Sequence, residues 1–267
     1  MNIYNKPGSA INRLLADTPP GIPMTSQWLY DHEITPQMLW GYKKSGWLEP
    51  LGRGAWIRPG QEVAWYDAVF ALQLLHEAVH VWPAARSALS LLGQAHYVPQ
   101  GGELPVQLCV TRGYRLPDWM QRLPSCEHVV KLSAYKLFNP QDVGIVHRTY
   151  KKFQLSMSTP ERAMLELCSM TPEQADPEEV KQLMQGLPAL RPQLLQTLLL
   201  ACRSIKAKRL FMVLAEIIEH PWLTELDLTD VDLGAGKRSL SVPGQLHPQY
   251  QITIPADWSE HEGHDAD

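Results

Sequence analysis

Signals that start and stop helices divide the first sixty residues of this chain into short elements. Thr35 followed by Pro36 is typical of a helix start, because threonine caps the first turn and proline fits the first helical position. Gly46 is expected to end that helix, since glycine readily adopts the left-handed conformation at a helix C-terminus. Gly52 and Gly54 then separate two short runs of aromatic and aliphatic residues, as in a β-hairpin. The pattern predicts a short helix followed directly by a hairpin.

Two further helices are expected before this one. Ile11 and Leu14 have helical spacing, and the Pro19–Gly21 segment stops the helix. Thr25 or Ser26 is expected to cap a second short helix, SQWLYDHE. Three helices and a hairpin form the plan of a winged helix-turn-helix domain.

The chain has 267 residues, which suggests about two domains. We assign the winged helix to residues 1–60 and a helical connector to residues 61–98. Residues 99–255 mix strand-like and helical patterns, which predicts a larger mixed α/β domain and an α+β fold class for the whole chain. Residues 256–267 are polar and acidic, and we expect a disordered tail there.

Composition limits the function and the compartment. Apolar residues make up 45% of the chain and the net charge is −4, so a substantial core is expected but an overall basic surface is not. The four cysteines form no C-x-x-C pair or zinc template. The N-terminus lacks a signal-peptide pattern, and no apolar run is long enough to span a bilayer. We expect a cytoplasmic protein with reduced thiols, no cofactor and no metal.

The third helix has the pattern of a helix that reads DNA. Side chains three and four positions apart share a face, so Gln37, Trp40 and Lys44 align on one side, and Leu39 and Tyr42 on a buried side. The glutamine suits a base edge, and basic side chains suit phosphates. The residues predicted to contact DNA are Thr25, Ser26, Thr35, Gln37, Trp40, Lys43, Lys44 and Arg53.

The charge of this region is only moderately basic. Residues 1–58 hold six basic and four acidic side chains, a net charge of +2. The basic side chains concentrate in the second half of the motif, which favours DNA binding. The alternative is a winged helix that makes only protein contacts and whose lysines are simply solvated.

Longer stretches of the chain resemble a known family. The stretch TPQMLWGYKKSGWLEPLGRGAWIRPG is similar to the N-terminal domain of AbiEi-type antitoxins, which belong to bacterial type IV toxin–antitoxin systems for abortive infection and phage defence. The similarity continues through VHVWPAARSALSLLGQAHYVP, STPERAMLELCSM, SIKAKRLFMVLAEIIEHPWL, DLGAGKRSL and YQITIP, and covers roughly residues 10–255. None of these stretches is a catalytic signature.

The resemblance implies a function for each domain. The winged helix would bind inverted repeats in the promoter of its own operon and repress transcription. The C-terminal domain would counter a nucleotidyltransferase-like toxin without a stable complex. Two alternatives stay open, namely an enzyme that acts on the toxin or its product, and a plain transcription factor without a toxin.

A zinc hydrolase is a less favoured alternative. His76, Glu77 and His80 spell H-E-x-x-H, which on a helix would supply two zinc ligands and a general base. The following Val81–Pro83 segment is expected to end the helix directly after the motif. The residues after H-E-x-x-H also do not match the longer zinc-protease motif. Structural histidines are therefore the simpler interpretation.

Basic residues also occur in the second domain. Contacts with an anion or a partner are possible at Arg148, Lys151, Lys152, Lys206, Lys208, Arg209, Lys237 and Arg238. Solvated charged faces are an equally good explanation. The last two follow Gly234 and Gly236, but this segment departs from the phosphate-loop pattern and is better explained as a turn.

Overall fold

A computed structural model describes residues 10–74, 78–94, 104–151, 153–240 and 244–258. Its N-terminal part contains three helices and a three-stranded antiparallel sheet in which β3 lies between β1 and β2. The elements are α1 (Ala10–Asp17), β1 (Met24–Thr25), α2 (Ser26–Asp31), α3 (Pro36–Lys44), β2 (Glu49–Gly52) and β3 (Ala55–Ile57). The predicted order of three helices and a hairpin is confirmed.

The predicted caps fix the ends of these helices. The Thr25 hydroxyl accepts the Trp28 N–H, and the Thr35 hydroxyl accepts the Met38 N–H, each at 3.2 Å. Gly46, directly after α3, has a φ of 74°, a conformation that glycine adopts without steric cost. Capping therefore sets the limits of α2 and α3 from local sequence alone.

The connector contains a strand that the sequence analysis missed. Residues 61–98 were expected to be helical, but α4 (Trp65–Gln73) and α5 (Ala85–Leu91) flank β4 (Val81–Pro83). This strand pairs antiparallel with β5 (Val106–Val110) of the following region. The connector is thus built into the sheet of the second domain, and all three residues of β4 are buried.

In the described residues, the C-terminal part combines three small sheets with four longer helices. Its remaining elements are α6 (Asp118–Gln121), β6 (Val129–Ser133), α7 (Ala134–Leu137), β7 (Ile145–Tyr150), β8 (Phe153–Ser158), α8 (Pro160–Met170), α9 (Pro177–Gln185), α10 (Pro192–Ala201), α11 (Ile205–Ile217), β9 (Arg238–Ser239), β10 (Gln245–Leu246) and β11 (Ile252–Ile254). The expected mixed α/β composition is confirmed.

Strand pairing defines the three sheets. β5 lies between β4 and β6 and is parallel to β6. β7 and β8 form an antiparallel hairpin that turns at Lys151. β11 lies between β10, which is antiparallel to it, and β9, which is parallel.

Helix α8 lies at the centre of the main core. Every residue from Glu161 to Cys168 is buried, and the helix packs against α5, α10 and α11. The neighbouring helix α11 is buried from Ala207 to Ala215.

The two domains pack against each other. We call the β2–β3 hairpin the wing. A Cβ atom on Gly52 in β2 would lie 2.9 Å from the Cβ atom of Trp119 in α6, so only a glycine fits there without a shift. Lys151 donates to the Asp67 carboxylate at 2.8 Å and to the Pro20 carbonyl at 2.9 Å. The hairpin β7–β8 is therefore linked to both α4 and the segment after α1.

The chain is ordered beyond the predicted start of the tail. The Trp258 side chain is 2% exposed, and its indole N–H donates to the Glu178 carboxylate at 3.1 Å. Residues 256–258 thus differ from the expectation of disorder, because an indole gains much from burial. The rest of the tail lies outside the described residues. No helix in the described ranges is long and apolar enough to cross a membrane.

Candidate nucleic-acid interface

Helix α3 presents a polar face to solvent. Gln37, Lys43 and Lys44 are exposed, and the Trp40 side chain is 66% exposed. The Lys44 ammonium lies 5.5 Å from the centre of the Trp40 ring, within the range of a cation–π contact. Leu39 on the opposite face is buried, as predicted from the spacing.

The turn before α3 follows from short-range backbone hydrogen bonds. The Ile34 N–H donates to the Leu29 carbonyl at 3.0 Å, and Glu33 has a φ of 63°. Ile34 is buried, which anchors the turn in the core of the domain. Thr35, which follows, is exposed while its hydroxyl caps α3.

The start of α2 is held in place by hydrogen bonds within the N-terminal domain. Thr25 is only 5% exposed and its hydroxyl is used for capping, so its position corrects the expectation of a phosphate contact. The Ser26 hydroxyl is partly exposed and accepts the Trp56 indole N–H at 3.3 Å. The Ser26 N–H donates to the Gly54 carbonyl at 2.9 Å. The two hydrogen bonds of Ser26 therefore connect α2 to the wing.

The wing carries one exposed cation at its tip. Arg53 lies in the turn between β2 and β3 and is exposed. Arg58, after β3, instead donates to the carbonyls of Leu15 and Thr18, and burial lowers the pKa of its guanidinium. Arg58 thus holds the end of α1 in place, whereas Arg53 is available to a ligand.

The predicted basic residues of the second domain do not share one role. Arg209 is 3% exposed and donates to the carbonyls of Leu233, Gly234, Gly236 and Gln251 at 2.6–3.1 Å. Lys208 is also 3% exposed. The expectation that these two residues contact an outside anion is wrong, because their side chains are buried in the fold.

The other basic residues differ in their surroundings. Lys206 pairs with Glu173 at 2.9 Å, and Lys151 pairs with Asp67. Those left exposed are Arg148, Lys237 and Arg238. Lys152 lies outside the described residues.

A large cavity lies in the second domain and was missed by the sequence analysis. It has a volume of about 960 Å³. The charged and polar side chains that line it come from five separate segments, so no local motif reveals it; they include His80, Arg112, Tyr135, Asp142, His147 and Arg203.

A fully buried ion pair lies behind this cavity. Arg162 donates through Nε to the Glu166 carboxylate at 2.8 Å, and both side chains are 0% exposed. Another nitrogen of the Arg162 guanidinium donates to the carbonyls of Gln141 and Val143 at 2.9 and 2.5 Å. The pair therefore holds the backbone of one cavity wall in place.

The described part of the H-E-x-x-H motif, residues 78–80, is not helical. α4 ends at Gln73, whereas His80 directly precedes β4, and its Nδ1 lies 3.0 Å from the Thr111 hydroxyl. His76 and Glu77 lie outside the described residues. Within the ranges that the structure covers, no three His, Cys, Asp or Glu side chains are grouped as a metal site.

The thiols are not placed for nucleophilic chemistry. All four cysteines are buried and reduced. Burial raises the pKa of Cys126 to about 11, and it also raises the pKa of the other three thiols. A thiol with a raised pKa carries little thiolate at neutral pH.

Comparisons with known proteins cover both domains. Residues 8–100 match the family model "Transcriptional regulator, AbiEi antitoxin N-terminal domain", and residues 103–255 match "Transcriptional regulator, AbiEi antitoxin, Type IV TA system". No curated protein matches the chain. A solved structure, that of the RV2827C protein from Mycobacterium tuberculosis, is similar with a TM-score of 0.57 and 17% identity, over 91% of this chain and 89% of that chain. At this identity the likeness concerns the fold alone.

Proposed function

Because this chain belongs to the AbiEi antitoxin family of transcriptional regulators from type IV toxin–antitoxin systems, we propose that it represses its own operon by binding inverted repeats in the promoter. The observation that carries this proposal is the division of α3 into a buried face and a polar, lysine-bearing face. A capped helix with such a face is suited to the major groove.

Each exposed side chain of α3 has a distinct role in the proposed complex. Gln37 hydrogen-bonds a base edge, since its amide can both donate and accept. Lys43 and Lys44 contact phosphates, and Trp40 packs its ring against the groove wall. Arg53 at the wing tip contacts the flanking backbone. Two copies on an inverted repeat add specificity through the fixed spacing of their half-sites.

A gel-shift titration on promoter DNA at several salt concentrations tests this proposal. Replacing Lys43 and Lys44 by alanine is expected to weaken binding and to reduce the slope of log affinity against log salt by about 0.9 for each phosphate that the variant no longer neutralises. The matched control is Lys131→Ala/Lys136→Ala, which removes two exposed lysines of the second domain. Unchanged affinity and slope in the α3 variant would refute DNA reading by α3.

The antitoxin activity belongs, in our proposal, to the second domain. It counters a nucleotidyltransferase-like toxin without forming a stable complex and without catalysis. The family match over residues 103–255 supports this assignment. Coexpression of the toxin with the Lys43→Ala/Lys44→Ala variant is expected to leave cells viable although repression is lost. Loss of protection together with repression would contradict a separate antitoxin domain.

Two other functions predict different results. An enzyme acting on the toxin or its product would protect at strongly substoichiometric amounts, whereas a non-catalytic antitoxin would not. A plain transcription factor would give no protection at all. Titrating the purified chain against toxin activity in vitro separates the three.

A further inference from the structure

The position of the large cavity follows from the topology of one sheet. β5 and β6 are parallel and in register from Val106 and Val129 to Val110 and Ser133, so their carboxyl ends lie side by side. Arg112 and Tyr135 follow these ends by two residues. Crevices at the carboxyl ends of parallel strands are where α/β sheets bind their ligands.

A third strand adds to the same edge. Val81, the first residue of β4, pairs with Val110 at the end of β5, so His80 lies beside the carboxyl end of the sheet. His147 enters from β7, with its Nδ1 2.9 Å from the Ser156 hydroxyl. The two imidazoles therefore line one cavity although 67 positions separate them in the sequence.

Two guanidinium groups gather around Tyr135. The Arg112 guanidinium lies 5.5 Å from the centre of the Tyr135 ring. Arg203 donates to the Tyr135 carbonyl at 3.1 Å, and its backbone N–H donates to the Leu137 carbonyl at 2.8 Å. These contacts hold two exposed cations at one end of the cavity without neutralising either.

The charge balance of the cavity favours an anion. Among the described lining residues, Arg112 and Arg203 are the full positive charges, and Asp142 is the carboxylate. Arginine is suited to phosphate because its planar donors match two oxygens at once. Two neighbouring arginines fit a ligand that concentrates more than one negative charge in a few atoms. A ligand with only one carboxylate group fits them less well.

We propose that this cavity is a binding site for a small molecule carrying a di- or triphosphate group. The phosphates lie between Arg112 and Arg203, and the rest of the ligand extends along the wall that contains His80 and His147. A volume of about 960 Å³ is at the upper end of the range for small-ligand sites and accommodates a molecule of nucleotide size. The proposal is independent of DNA binding and of the toxin.

Calorimetric titration of the full-length chain tests it directly. The probes are pyrophosphate and ATP, with sulfate as the control anion, all at low salt in the absence of DNA. Arg112→Ala and Arg203→Ala are each expected to raise the dissociation constant for pyrophosphate about tenfold. Arg115→Ala removes an exposed arginine of the same loop that does not line the cavity, and is expected to have no effect.

A further variant distinguishes an effect of the cavity's charge on binding from an effect of misfolding. Asp142→Asn removes the opposing carboxylate and is expected to tighten pyrophosphate binding several-fold, a gain that misfolding cannot produce. Three results would overturn the proposal: no binding of pyrophosphate or ATP at millimolar concentration, equal affinity for sulfate, or an equal weakening of binding in Arg115→Ala. Binding of a short single-stranded RNA but not of pyrophosphate would also overturn it, since the ligand would then be a nucleic acid.

Discussion

At the scale of single residues, burial separates charges that hold the fold from charges that are available to ligands. Arg162 and Glu166 are fully buried, and the Glu166 carboxylate also accepts hydrogen bonds from the Ser158 hydroxyl and the Ala85 N–H. Removing one partner leaves an uncompensated charge in the core, which is costly. Lys206 and Glu173 form a similar pair at the surface, where the glutamate side chain is 67% exposed.

These two pairs give a direct comparison. Glu166→Ala is expected to lower the free energy of unfolding by about 3–5 kcal/mol, because Arg162 stays buried without its counter-ion. Glu173→Ala is expected to lower it by less than about 1 kcal/mol, since water screens an exposed pair. Urea unfolding measures both, and equal effects of the two substitutions would contradict the argument.

At the scale of elements, one carboxylate joins two helices. The Glu161 carboxylate, in the first turn of α8, accepts the backbone N–H of Arg191 before α10 and two guanidinium hydrogen bonds from the same residue, at 2.9–3.0 Å. Burial opposes the charged form, but the hydrogen bonds to Arg191 outweigh it and hold the pKa of Glu161 below its usual value.

This arrangement predicts an acid-dependent loss of stability. A carboxylate with a lowered pKa stabilises the folded state at pH values above its unfolded pKa, and the contribution is lost as pH falls through the folded pKa. Glu161→Gln is therefore expected to be less stable than the unmodified chain at pH 7, with the difference shrinking below about pH 4. Thermal melts from pH 7 to pH 3 measure this, and a difference that grows on acidification would refute it.

The wing strand supplies a second prediction for elements. Gly52→Ala places a methyl group against the backbone and Cβ atom of Trp119, so β2 has to move away from α6. A crowded substitution of this kind is expected to cost about 1–3 kcal/mol of stability and to weaken promoter binding through Arg53. Gly186→Ala, whose added Cβ has no neighbour nearer than 3.4 Å, is the control and should change neither quantity.

Helix starts and the polar face of α3 are predictable from sequence because the responsible contacts are local. The Thr35 hydroxyl accepts an N–H only three residues further along the chain, and Leu39 is buried by helical spacing. The strand β4 is missed because three residues carry no periodicity, and their partner β5 lies some 25 positions away. The role of Arg209 is missed for the same reason, since its acceptors follow it by 24–42 residues.

At the scale of the whole molecule, Asp67 of the connector holds Lys151, whose side chain joins the second domain to the N-terminal domain. It accepts hydrogen bonds from Tyr150 at 2.9 Å and from Lys151 at 2.8 Å, and Lys151 also reaches Pro20. Burial and the neighbouring Asp67 carboxylate raise the pKa of Tyr150, which therefore stays a hydrogen-bond donor at neutral pH.

Loss of this link is expected to uncouple the domains. Asp67→Ala removes the acceptor of both hydrogen bonds and should lower the stability of the domain interface by about 1–3 kcal/mol. Differential scanning calorimetry is expected to show the N-terminal domain melting earlier than in the unmodified chain. Asp142→Asn, an exposed carboxylate of the second domain, serves as the control. An unchanged melting profile in Asp67→Ala would show that other contacts hold the domains together.

Packing of Gly52 against Trp119 also fixes the orientation of the wing relative to the second domain, which matters for the proposed complex with promoter DNA. A copy whose wing follows the DNA backbone carries its second domain in a constant rotational phase relative to the double helix. Inserting about five base pairs between two half-sites would turn one copy to the opposite side of the DNA. In the proposed complex, the spacing between the two half-sites would therefore determine whether the two cavities face the same side of the promoter.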